Sequence, residues 1–144
     1  MLYDYIILGG GPAGVAAAVY AARKQMKTLL ITESFGGQSI VSADIQNWIG
    51  DAHISGLALA EKLENHVRSF PDMVDVKIGE RATGIQKIDC NDPKRPCNFE
   101  VTTGSGEKFE GKAIMLAVGA RRRRLGIPGE DRLDGKGVAF CSTC

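Results

Sequence analysis

The stretch LYDYIILGGGPAGVAAAVYAARKQMKTLLITE, residues 2–33, decides the fold. Residues 2–8 form a β-branched and aromatic run that stops abruptly at Gly9-Gly10-Gly11, as a buried strand of a parallel sheet does. Pro12 suits the first turn of a helix, where its missing N–H would have no partner anyway. The alanine-rich segment up to about Lys24 predicts a helix that lies close to a sheet. Residues 27–32, KTLLIT, predict a second strand and complete a β-α-β unit of about 30 residues.

Gly9, Gly11 and Gly14 are the glycines of a GxGxxG motif placed between that strand and that helix. The first allows the tight turn, the second lets a pyrophosphate approach the backbone, and the third permits close helix–strand packing. Gly11, Pro12 and Ala13 open the helix, so a bound phosphate would meet its positive end. GxGxxG alone is weak evidence, because glycines also make plain turns. Here it is reinforced by Glu33, 19 residues after Gly14, close to the ~20 expected for the acid that holds a ribose hydroxyl. A dinucleotide site follows, without a choice between flavin and nicotinamide cofactors.

Downstream, the loop FGGQ (35–38) leads through an irregular stretch to a helix predicted from Ser55, with Leu57, Ala60, Leu63, Val67 and Phe70 at helical spacing and Pro71 as its stop. Residues 74–78 predict a third strand. From Thr83 to Phe109, short alternating runs split by turn residues predict a three-stranded antiparallel meander, and AIMLAV (113–118) predicts a final buried strand. The fold class is therefore α/β: a Rossmann-like dinucleotide domain with a parallel sheet plus the meander.

Composition narrows the function classes. The net charge of +1 argues against a nucleic-acid binder. The run Arg121–Arg124 reads as a solvated loop, with anion steering the alternative. No apolar run approaches the ~20 residues of a membrane span, and the N-terminus lacks a basic start, so a cytoplasmic location is expected.

The terminal Cys141-Ser-Thr-Cys144 fits a redox dithiol, since two intervening residues let the sulfurs meet. Zinc would need two further ligands; Cys90 and Cys97, seven apart across a proline-containing turn, do not form a knuckle, and no metal site is expected. Those two cysteines read as bystanders near a hairpin turn, an adventitious disulfide being the alternative. His53 and His66 carry no partner motif and read as surface residues. Trp48 reads as a packing anchor, with direct cofactor contact the alternative.

Taken in order, GGGPAG, FGGQ, IQNWIG, AVGARRRRLGIPGE and CSTC resemble the low-molecular-weight thioredoxin reductase family, whose close cousin is the flavoprotein subunit of alkyl hydroperoxide reductase. The resemblance implies FAD over Gly9–Gly14 and Glu33. It implies Gly36, Gly37, Gln38 and Asn47 on the flavin side, main-chain groups near Ala82 at the adenine, and Ala117 to Gly119 near the pyrophosphate. Val118 stands where the family usually has threonine. Electrons would pass from NADPH through FAD to Cys144 and Cys141, then to a thioredoxin-like or peroxiredoxin-system protein. Only one glycine loop exists in these residues, so the NADPH site is not in this chain. The resemblance also implies a homodimer, and the expected division is 1–120 for the FAD domain, 121–136 for a hinge and 137–144 for the start of a truncated NADPH and dithiol domain. The expected activity is that of an oxidoreductase fragment, the isolated chain being inactive. The alternative is a non-catalytic FAD- or nucleotide-binding module.

Overall fold

The computed structural model describes residues 1–90, 97–120, 123–134 and 136–139. The element order is β1 (Leu2–Gly10), α1 (Pro12–Arg23), β2 (Thr28–Phe35), a 3₁₀ turn (Gly37–Val41), α2 (Gly56–Arg68), β3 (Val74–Ile78), β4 (Ala82–Ile88), β5 (Asn98–Thr103), β6 (Lys108–Leu116) and the short α3 (Glu130–Leu133). One six-stranded sheet carries them in the order β3-β2-β1-β6-β5-β4. β3, β2, β1 and β6 run parallel, while β4, β5 and β6 are antiparallel.

The alternation of side chains along β1 and β2 builds two cores. Ile7 and Leu30 face Val15, Ala18, Val19 and Ala22 of α1 and Leu59, Leu63 and Val67 of α2. Ile6, Leu8, Leu29 and Ile31 face the opposite way, onto Val101, Phe109, Ala82 and Ile114. The antiparallel half therefore curls over the sheet face that the helices leave open, so both faces of β1 and β2 are covered. That is why these strands read as continuous apolar runs.

Two sequence expectations are corrected. The third meander strand and the run AIMLAV are not separate: β6 is continuous from Lys108 to Leu116. Its first half pairs with β5 (Val101 opposite Phe109), and it pairs with β1 from Glu110 to Leu116. Gly111 permits the crossing, because a Cβ there would press on Ile6 at 2.8 Å. Leu57, expected on the buried stripe of α2, is 59% exposed; the buried stripe is Leu59, Ala60, Leu63 and Val67. The helix starts one residue later than its periodicity implied, at Gly56, with the Ser55 hydroxyl accepting from the Ala58 N–H.

Cys90 and Cys97 are also joined. Rather than standing as bystanders, they form a disulfide just beyond the Ile88–Asn98 pair, closing the β4–β5 hairpin. At the other end of the sheet, Lys27 binds Asp75, whose carboxylate also accepts from the Tyr3 hydroxyl. Asp4 accepts from the Lys27 N–H and from Lys112. These contacts tie β1, β2, β3 and β6 together below the core.

Candidate dinucleotide site

Parallel strands leave a crevice at their carboxyl ends, widest where the chain order reverses. Here the reversal falls at β1, flanked by β2 on one side and β6 on the other. A cleft of about 970 Å³ opens at that point, near the upper end of the usual range for cofactor sites. It is lined by the ends of β1, β2 and β6, the start of α1, the Gly36–Ser39 turn, and the Glu80–Ala82 crossing from β3 to β4.

The three glycines do different work. Gly9 has φ +115° and lies against the Ala117 carbonyl, so a side chain there is excluded twice over. A Cβ on Gly14 would collide with the carbonyl oxygen of Gly9, which fixes α1 directly on the end of β1. Gly11 differs: its backbone is ordinary (φ −76°), and the nearest atom to a Cβ is the Gly37 Cα at 3.9 Å. The space over Gly11 is open, and no side chain caps the helix it begins. The first-turn amides of α1 thus present an uncapped positive end to the cleft.

A second glycine pair shapes the facing wall. Gly36 (φ +89°) leaves only 2.6 Å between a built Cβ and that of Ala60, so the FGGQ turn lies flat on α2. Gly37 in turn approaches Gly11, and Gln38 follows on the same wall. Sequence reading did not find the residue that locks the loop to β2. The Gly10 N–H donates to the Thr32 hydroxyl at 2.9 Å, and that hydroxyl donates to the Ser34 carbonyl at 2.7 Å. A threonine in a β-branched strand gives no signal beyond strand propensity, so this clasp is visible only in three dimensions.

Of the residues singled out from sequence, Gly9, Gly11, Pro12, Ala13, Glu33, Gly36, Gly37, Gln38, Ala82, Ala117 and Gly119 line this one cleft. Gly14 lies beneath it, at the helix–strand contact. Asn47 is exposed on the 42–54 loop, outside the lining. Trp48, beside it, packs on the helix-side core. The lining also includes Val118, within the Ala117–Gly119 segment expected there, and Ser34, Glu80 and Arg81, which sequence reading had not assigned to a wall. Cys141 and Cys144 lie outside the described residues, as do Arg121 and Arg122.

Beyond the cleft, His53 pairs with Asp44 and is exposed, while His66 is exposed and stacks on Phe70. Hydrogen bonds from Gln46 and His53 hold the Asp44 carboxyl below its ordinary value. Arg124 is committed to Glu130, Asp131 and Asp134. Burial opposes ionisation of Glu130, but hydrogen bonds from the Leu125 and Gly126 amides, with Arg124 alongside, hold its carboxyl below the usual range. Among the described residues no cluster could hold a metal ion, and no helix is long and apolar enough to cross a membrane.

Residues 3–144 match the pyridine nucleotide-disulphide oxidoreductase family, and the chain belongs to it. One component of the alkyl hydroperoxide reductase of Pseudomonas aeruginosa is 40% identical over 142 residues, and an NADH dehydrogenase of Bacillus subtilis is 37% identical over the same length. Each match covers 99% of this chain and 26% of the relative. Thioredoxin reductase of Lactococcus lactis superposes with a TM-score of 0.77 at 36% identity, over 99% of this chain and 44% of that one. The chain thus spans about a quarter of the curated relatives it matches and under half of that reductase.

Proposed function

We propose that this chain forms the FAD-binding part of a disulfide reductase, with Cys141 and Cys144 as its redox dithiol. The observation that carries the reading is the convergence of the glycine loop, Glu33 and the Gly36–Gln38 turn on one cleft at the carboxyl ends of the parallel strands. An FAD fits the residues present: the open space over Gly11 and the uncapped start of α1 suit a pyrophosphate, and Glu33 suits a ribose. Ala82 would meet the adenine through its main chain, Ala117 and Gly119 would flank the pyrophosphate, and Gly37 and Gln38 would face the flavin.

When bound, the flavin supplies a two-electron relay between a reduced nicotinamide and a disulfide. The protein's part is to hold it. The main-chain amides of Gly11 and Ala13 face negative charge, the glycines exclude side chains that would fill the cleft, and Thr32 keeps the loop in place. Asn47 belongs to the flavin side in this reading. Cys144 is the thiol nearer the flavin and Cys141 its partner, passing reducing equivalents by thiol–disulfide exchange to a thioredoxin-like or peroxiredoxin-system protein. A homodimer in the cytoplasm, NADPH bound by residues outside this chain, and the division at 120 and 136 complete the proposal. The alternative of a non-catalytic flavin module has no observation in its favour over this one.

The visible absorption spectrum of the purified chain, before and after FAD is added, tests it. Substoichiometric or weak FAD uptake without NADPH oxidation is expected of the 144 residues alone. Absence of any flavin binding contradicts the cofactor assignment, and NADPH-dependent disulfide reduction by the isolated chain contradicts the placement of the NADPH site.

A further inference from the structure

Arg81 has a place in the cleft but no part in the function proposed so far. It lies in the crossing from β3 to β4, and hydrogen bonds pin that crossing over the end of β2. The Gly79 N–H donates to the Glu33 carbonyl at 3.3 Å, and the Glu80 N–H donates to the Thr32 carbonyl at 3.2 Å. The Gly104 N–H, from the β5–β6 turn, donates to the carbonyl of Arg81 itself at 2.9 Å. The backbone of Arg81 is thereby fixed beside Glu33, at the end of the cleft assigned to the ribose. Its side chain is exposed, lines the cleft, and makes no salt bridge among the described residues. Among the described residues, Lys77 pairs with Glu107 and Arg124 with the acids around α3.

A guanidinium is flat and weakly hydrated, so it stacks plane to plane on an aromatic face, which an ammonium meets only as a point charge, as Lys77 does over the Phe109 ring. We propose that Arg81 lies against the face of the adenine of the bound dinucleotide and thereby selects an adenine-bearing flavin over a mononucleotide. The proposal deepens the FAD-site reading and rests on it. Ala82, also in the lining, packs against the core cluster beneath it, so the long side chain of its neighbour Arg81 is the one suited to reading a purine plane.

Calorimetric titration of the 144-residue chain with FAD, ADP and FMN tests this in the wild type, Arg81→Ala and Arg81→Lys. Arg81→Ala is expected to weaken FAD and ADP each about tenfold, the size of a partly desolvated cation–aromatic contact. FMN binding stays within about twofold, and the melting temperature is unchanged because the side chain is exposed. Lysine, which keeps the charge but not the plane, recovers less than half of the loss on a logarithmic scale. The loss persists at about 0.5 M salt, where pairing with an exposed phosphate is screened. Equal FAD affinity in wild type and Arg81→Ala overturns the proposal. So does a loss that lysine fully restores or salt erases, or one that FMN shares. A wild-type chain that binds neither FAD nor ADP overturns the flavin-site reading, and this proposal with it.

Discussion

Replacing Thr32 by valine removes the hydroxyl that joins the glycine loop to β2 while keeping the β-branched shape. Thr32 is 5% exposed, and two contacts depend on its Oγ1: acceptance from the Gly10 N–H at 2.9 Å and donation to the Ser34 carbonyl at 2.7 Å. Gly10 is buried and its N–H has no water to turn to, so orphaning it costs about 1–3 kcal/mol. The Ser34 carbonyl is only partly buried and recovers most of its loss through solvent. A net destabilisation of about 2 kcal/mol follows, which lowers the urea midpoint by roughly 1 M at a slope of about 2 kcal/mol/M. Thr32→Ser is the control, since it keeps the hydroxyl and loses a methyl group. Amide exchange at Gly10 separates the two: protection is lost in the valine variant and kept in the serine variant. A Thr32→Val chain within about 0.5 kcal/mol of wild type, or with Gly10 still protected, would refute the reasoning.

Gly14→Ala drives its Cβ into the Gly9 carbonyl and is expected to destabilise the chain by about 2–3 kcal/mol, read by urea denaturation, whereas Gly11→Ala should leave stability within about 0.5 kcal/mol. Burial, then the hydrogen bond and charge of Asp75, push the Tyr3 hydroxyl up to about 12. Its folded pKa exceeds the ordinary value of 10, so its contribution is full below pH 10 and is lost between pH 10 and about 12. Tyr3→Phe should flatten stability measured across that window. Glu130→Gln removes a carboxylate that accepts from the Leu125 and Gly126 amides at 3.0 and 2.7 Å, and exchange at both amides should rise about tenfold or more. Replacing Cys90 and Cys97 together by serine should cost about 2–3 kcal/mol in chemical denaturation, the chain-entropy value for a loop of this length.

How much of this was legible depended on whether a residue's surroundings were local. The β1–α1–β2 unit could be read because its signals lie within one stretch: an apolar run, three glycines at fixed spacing, and an acid at the end of the next strand. The continuity of β6 could not. Its first half borders β5 and its second half enters the parallel sheet, so the pattern changes in mid-strand, and Gly111-Lys112 looks like a turn. Gly111 is there because Ile6, more than a hundred residues away in sequence, packs across it. Leu57 failed for a related reason: the buried stripe runs through Gly56, Leu59, Ala60, Leu63 and Val67, and at about 100° per residue Leu57 lies roughly 100° from its centre, which only the packing against the sheet reveals.

In the site, the glycines declared themselves through the motif, but their separate duties did not. Gly9, Gly11 and Gly14 look equivalent in sequence, yet only Gly11 has room above it. The Thr32 clasp and the position of Arg81 arise from pairings between β1 and β2 and between the β3–β4 crossing and β2, which no local pattern encodes. The Cys90–Cys97 bond depends on the register of β4 against β5, with Ile88 opposite Asn98.

FAD titration of the wild-type chain and of Gly11→Ala, side by side, tests the central claim most directly. The open space over Gly11 is where the pyrophosphate must approach, and a methyl group fits there without disturbing the protein. The wild type is expected to bind FAD, weakly or substoichiometrically, and Gly11→Ala to lose at least tenfold in affinity with its fold intact. Equal binding by the two chains would contradict the site.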